Sequence, residues 1–271
     1  VSAVSLNSAI WAGTRIVAPA AAGIIIAIFN PAIAFLAASI GFATMAYFIY
    51  KMQPIPSTST PRVSPAKEML EGFNFIRRNS PFPFLIVMTF FNSFFGISYI
   101  YLMPVFAIDI LKIGTIGQGW LLSISGIGSL VTTVWLSTSK NVNNKSILVI
   151  GGGIGFGLSI AAFGLTSRFL PSYGIALLLM LVIGLTSSTY MISIQSSLQL
   201  LVPDNMRGRV MGFFGMSWNI LPIGGMQVGT LASFITAPYA VATGGFAVAA
   251  FTSLAFTFST KVRNLNSLIR T

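Results

Sequence analysis

The 271 residues include no cysteine and no histidine, and only four carboxylates: Glu68, Glu71, Asp109 and Asp204. Without thiols or imidazoles the chain has no disulfide, no thiolate nucleophile and none of the usual zinc ligand sets. Charge is scarce as well. Charged residues make up 7% of the chain against 55% hydrophobic, too little polar surface to keep a folded domain in water. Lipid is therefore the expected solvent. No Ser-His pair, Asp-Asp pair or metal cluster falls inside the apolar runs, so the chain reads as a non-enzyme with no cofactor and no metal site.

What the chain does have is cations in an ordered arrangement. Twelve of its fifteen Lys and Arg residues lie on alternate breaks between apolar runs: Lys51, Arg62, Lys67, Arg77 and Arg78; Lys140 and Lys145; Arg207 and Arg209; Lys261, Arg263 and Arg270. The other breaks hold only Lys112 and Arg168, and Arg15 sits within a run. Positive residues resist translocation, so this alternation predicts that the richer breaks, and both ends of the chain, face the cytoplasm. A net charge of +11 also suits a nucleic-acid binder, but such a protein gathers its cations on one soluble face. Here membrane-length runs separate them, and no nucleic-acid partner is expected.

Eight spans can be read: about Ser5–Phe29, Ala32–Tyr50, Phe84–Ile108, Gly119–Leu136, Ile147–Leu165, Tyr173–Leu200, Val210–Phe234 and Ala240–Thr260. Their length and lack of period-two alternation exclude barrel strands, leaving an all-α polytopic membrane protein. The predicted organisation is two spans (1–50), a central loop (51–83), a six-span bundle (84–260) and a tail (261–271). Within the loop, Gln53–Pro65 is rich in Pro, Ser and Thr and reads as extended. In Ala66–Arg78, Met69, Leu70, Phe73 and Ile76 recur at helical spacing opposite Lys67, Glu71 and Asn74, which predicts a helix lying on the membrane surface.

Three segments resemble one family in the expected order. Leu6-Asn7-Ser8 with Arg15-Ile16-Val17-Ala18-Pro19-Ala20-Ala21-Ala22-Gly23 resembles the fifth helix of major facilitator superfamily transporters, in the bacterial branch containing enterobactin exporters and macrolide efflux pumps. Glu71-Gly72-Phe73-Asn74-Phe75-Ile76-Arg77-Arg78 resembles that branch's central amphipathic segment. Gln199-Leu200-Leu201-Val202-Pro203-Asp204 with Arg207-Gly208-Arg209-Val210-Met211 resembles its loop between helices ten and eleven. The resemblance implies that the eight spans are helices five to twelve of a twelve-helix fold, with the first four missing. Val1, not a start methionine, fits a chain that begins partway. It further implies a secondary active transporter in the bacterial inner membrane, exporting a small amphipathic compound such as a siderophore or drug by alternating access, with protons as coupling ion. Where the antiporter signature has Gly before the Pro and two Gly after it, this chain has Ala18 and then Ala22-Gly23. Small size is kept, and uptake by the same fold, or a non-transporting membrane assembly partner, stays an alternative.

Several residues are candidates for function. Arg15, near the middle of its span, is costly to bury unless it binds an anionic substrate or pairs with an acid or with backbone carbonyls. No acid lies mid-span, so any proton-carrying residue is expected in the missing helices. Asn92, Gly96, Tyr99 and Met103 share one helical face, read as substrate cavity over packing. Trp218, with Gly215, Pro222, Gly225 and Gly229 on its face and Asn219 beside it, forms a second stripe, whose Gly225/Gly229 end reads as packing. The span Tyr173–Leu200 carries two polar stripes, Thr186/Tyr190/Ser193/Ser197 and Ser188/Gln195/Gln199, and the sequence does not choose between them; Tyr190 is the aromatic candidate for the cavity. The run Gly151, Gly152, Gly153, Gly155 and Gly157 reads as helix packing, since no strand precedes it as a dinucleotide fingerprint requires. Arg207 and Arg209 are candidate gate residues, with Asp204 as a cap for the following helix. Ala18, Gly23, Gly126 and Gly128 are expected to join the first and fourth spans.

Overall fold

Asn30 and Pro31 show how sharply the chain punctuates its apolar runs. The Asn30 Oδ1 accepts the Ile33 N–H at 3.0 Å, and Pro31 fills the first helical turn, where its missing N–H costs nothing. The computed structural model describes residues 21–52, 64–138 and 144–258, together with Thr14, Val17 and Ala18. Every regular element among the described residues is helical. They are α1 (21–28), α2 (Pro31–Lys51), α3 (Pro65–Arg78), α4 (Phe82–Ile110), α5 (Gly114–Thr138), α6 (Lys145–Phe169), α7 (Tyr173–Leu201), α8 (204–235) and α9 (Ala237–Phe258).

Six of these helices, α2, α4, α5, α6, α7 and α9, are long and apolar enough to cross a membrane. α2 makes the point most simply: none of its residues is buried, and Phe35, Leu36, Ile40, Phe42 and Phe48 are all more than half exposed. A helix apolar on every side offers no face to water and suits hydrocarbon or other apolar helices around it. α8 corresponds to the seventh predicted span but carries Arg207, Arg209, Asn219 and Gln227 and tightens into a 3-10 turn at Ser217–Ile220. Length and composition alone do not mark it as a span.

Two apolar cores fill the α4–α9 bundle. Met103, Phe106, Phe156, Phe163, Met180 and Ile183 centre one; Leu85, Met88, Val149, Tyr190, Ile194 and Leu198 centre the other. Lipid gives helices no hydrophobic drive to associate, so close backbone approach must supply dispersion contacts. Glycines provide it. A methyl on Gly157 of α6 would meet the Gly245 carbonyl and Ala249 of α9, and one on Gly152 would strike the Tyr190 backbone of α7. The glycine run is thus largely a packing surface, although Gly151 faces open space.

The expected α1–α5 junction is shifted. Gly23 is buried against the Thr115 carbonyl and Gly119, near the start of α5, while Gly128 instead packs on Leu181 and Gly184 of α7 and Ala18 is exposed. Small residues recur every few positions along α5, so composition names the helix used for contact but not which of its turns meets which neighbour.

Candidate functional site

The helix α3 does not lie free. Gly72 lets it approach α8, where an added methyl would stand 3.0 Å from the Arg209 Cβ and 3.3 Å from the Phe213 ring. Arg209 then reaches both acids of α3, with Nη1 2.8 Å from Glu71 Oε2 and Nη2 3.8 Å from Glu68 Oε1. Ile76 is buried, and the Phe75 and Phe82 rings pack at 5.4 Å. The surface expected to face lipid is therefore divided. Glu71, assigned above to the polar side, turns towards protein, while Met69, Leu70 and Phe73 remain about half exposed. A carboxylate with a guanidinium partner no longer needs water, which is why the simple apolar–polar division misplaces it.

The two candidate gate arginines differ in their partners. Among the described residues Arg207 pairs within its own helix, Nη2 to Asp204 Oδ1 at 2.7 Å, with the arginine half exposed and the aspartate largely so. Asp204 does not cap α8: Pro203 occupies the capping position, and Asp204 lies in the first turn, paired with Arg207. Arg209 is the residue that bridges helices. Sequence reading missed Glu68 and Glu71 as its partners. The available signal was that two of only four acids fall three residues apart on one predicted helix.

The stripe on α4 faces inward. Asn92, Gly96, Tyr99 and Met103 are all buried, with Gly96 against Phe156 and Val248 and the Asn92 Nδ2 donating to Met191 Sδ at 3.5 Å. This corrects the cavity reading of the stripe: its polar and small residues are used where α4 meets α6, α7 and α9. Backbone hydrogen bonding in α4 is also irregular here, because the Ile97 N–H reaches back five residues to the Asn92 carbonyl and Pro104 has no N–H to donate. The Asn92 Oδ1 and Ser93 Oγ are buried without a hydrogen-bond partner among the described residues. Tyr190 is buried too, its hydroxyl donating to the Met88 carbonyl at 3.2 Å. On α7 the stripe holding Tyr190, Ser193 and Ser197 faces the bundle, whereas Gln195 and Gln199 are exposed.

Trp218 (45% exposed) and Asn219 stay open, as do Gly212, Gly215 and Pro222. Gly225 is packed under the Tyr101 ring, while Gly229 meets nothing. Next in the chain to Asn219, Ile220 helps line a groove of about 250 Å³ with Val87, Phe90, Phe91, Phe94 and Phe95 of α4. Its floor is fixed: Phe91 stacks on Phe251 at 4.2 Å, and Gly224 brings α8 against the Phe94 carbonyl. No single stripe reveals this groove, because it takes the outward side of α4 and the turn in α8 together. Arg15 lies outside the described residues.

No group of three or more Asp or Glu stands close enough to hold a metal ion among the described residues. All four acids lie at or beyond helix ends or on α3. A search against curated proteins found no match. The family model described as Major Facilitator Superfamily matches residues 1–226, most of the chain. Together with an all-helical, multi-pass architecture, that match places this chain in the major facilitator superfamily, whose members are membrane transporters.

Proposed function

We propose that this chain is the last two-thirds of a twelve-helix exporter for a small amphipathic compound of the drug or siderophore kind, driven by protons through alternating access. In this reading 1–50 closes the N-terminal bundle, 51–83 is the cytoplasmic link, 84–260 is the C-terminal bundle and 261–271 is a cytoplasmic tail in the bacterial inner membrane. The observation that carries the reading is the phenylalanine groove between α4 and α8, with exposed Trp218 and Asn219 adjoining Ile220. Aromatic walls favour ring systems, and a few polar groups nearby orient the polar part of the ligand. Arg15, a cation within an apolar run, supplies a charge for an anionic group or a partner for an acid in the preceding helices.

Arg209 with Glu68 and Glu71 supplies the device for switching. An ion pair holding α3 to α8 favours the conformation in which those helices touch, and its release lets the bundle rock about the midplane site. The test is export by the complete protein in everted membrane vesicles, using a panel of fluorescent ring-bearing amphiphiles. Energy-dependent accumulation that collapses with a protonophore is expected. No accumulation of any member, with the protein intact in the membrane, would remove this reading.

A further inference from the structure

A second cavity lies far from the phenylalanine groove in chemistry. It is an open depression of about 400 Å³ lined by Ser196, Gln199, Leu200 and Arg207. The Lys145 Nζ donates to the Ser196 Oγ at 2.6 Å, which sets a second cation one hydrogen bond behind the lining. An oxygen that accepts from an ammonium still has its own proton to donate, so Ser196 can serve as a donor. Gln199 has amide donors. Arg207 gives one nitrogen to Asp204 and has others to offer. The set is donors and positive charge, offset only by the Asp204 carboxylate, and it fits a phosphate group.

Position selects the source of that phosphate. α7 has 29 residues, about 43 Å at about 1.5 Å per residue, close to the full bilayer thickness of roughly 40–45 Å including headgroups. Leu200, 59% exposed in its last turn, thus lies where lipid headgroups and the upper acyl chain meet. We infer that Lys145, Ser196, Gln199 and Arg207 bind the phosphate headgroup of an anionic phospholipid whose acyl chain runs past Leu200. Basic pockets between membrane helices recognise such headgroups by charge and hydrogen bonding together.

The experiment is lipid binding by the complete protein in detergent, followed by native mass spectrometry with phosphatidylglycerol, phosphatidylcholine or inorganic phosphate. Phosphatidylglycerol is expected to bind well above phosphatidylcholine and to resist displacement by millimolar phosphate. Lys145→Gln and Arg207→Gln are each expected to weaken it roughly tenfold, the worth of one charge-assisted hydrogen bond. Gln199→Leu, at an exposed position that threatens folding least, should weaken it several-fold. Asp204→Asn should tighten it by freeing Arg207. Arg78→Gln, which removes a cation on α3 outside the cavity, should change it less than twofold. Equal binding of the two lipids, displacement by inorganic phosphate, or an equal loss in Arg78→Gln would each overturn the assignment.

Discussion

Arg209 Nη1 stands 2.8 Å from Glu71 Oε2, and this pair fastens the central-loop helix α3 to the first turns of α8. Both side chains keep some solvent contact, so the pair contributes only about 0.2–1 kcal/mol. A weak fastening suits a part that must open and close. A bond of many kcal/mol would hold one state permanently.

Arg209→Lys keeps the charge but loses the planar fork that meets Glu71 and Glu68 together. It is expected to slow export several-fold with normal insertion. Arg207→Lys, altering a local pair within one helix, should slow it less. The exchange Arg209→Glu with Glu71→Arg should recover part of the loss seen in either single variant. Equal rates for Arg209→Lys and parent in vesicles with matched protein would reduce these arginines to topology signals.

At the α6–α9 crossing, Gly157→Val forces atoms into the Gly245 carbonyl and Ala249. Overpacking of this kind costs about 1–3 kcal/mol. Thermal unfolding in detergent should show a clear drop in midpoint for Gly157→Val. Gly151→Ala, which points into open space, should leave the midpoint nearly unchanged.

Asn92→Leu replaces a buried amide whose Oδ1 has no partner. An unsatisfied buried polar group costs about 1–3 kcal/mol, so the variant should be as stable as the parent or more so. The irregular stretch of α4 around Asn92 is expected to bend during transport, so export should nonetheless fall. Full export with raised stability would show Asn92 to be dispensable for movement.

Orientation can be read by single cysteines, since the chain contributes none of its own. Ser64 and Asn205 are exposed near the basic breaks, and Ile116 and Leu170 are exposed at the opposite turns. Cysteines at the first two should react with an impermeant maleimide only from the cytoplasmic side, and those at the last two only from outside. A swap of the two sets would reverse the orientation drawn from charge.

Six of the eight predicted spans were legible because hydrocarbon imposes long apolar runs and cations mark their ends, as at Lys51 and Lys145. The glycine run of α6 was legible for the same elementary reason: so much lost side chain has few uses besides close approach. What could not be read was direction. Asn92 and Trp218 both lie on plausible polar stripes, yet one is buried and the other open, because a stripe has no sign until its neighbours are known. The Glu71–Arg209 pair and the groove between Phe94 and Ile220 each need two distant segments brought together, and no local pattern encodes that.

Alkylation of a lone cysteine at Ile220 measures groove occupancy most directly. In everted vesicles carrying the complete protein, a saturating transported amphiphile should slow the reaction of Ile220→Cys at least several-fold, and a control cysteine at Gly151 should react at the same rate with or without it. Phe94→Ala in the Ile220→Cys background should restore the rate at that concentration by weakening binding. An unchanged Ile220→Cys rate under saturating transport would contradict the groove as the substrate site.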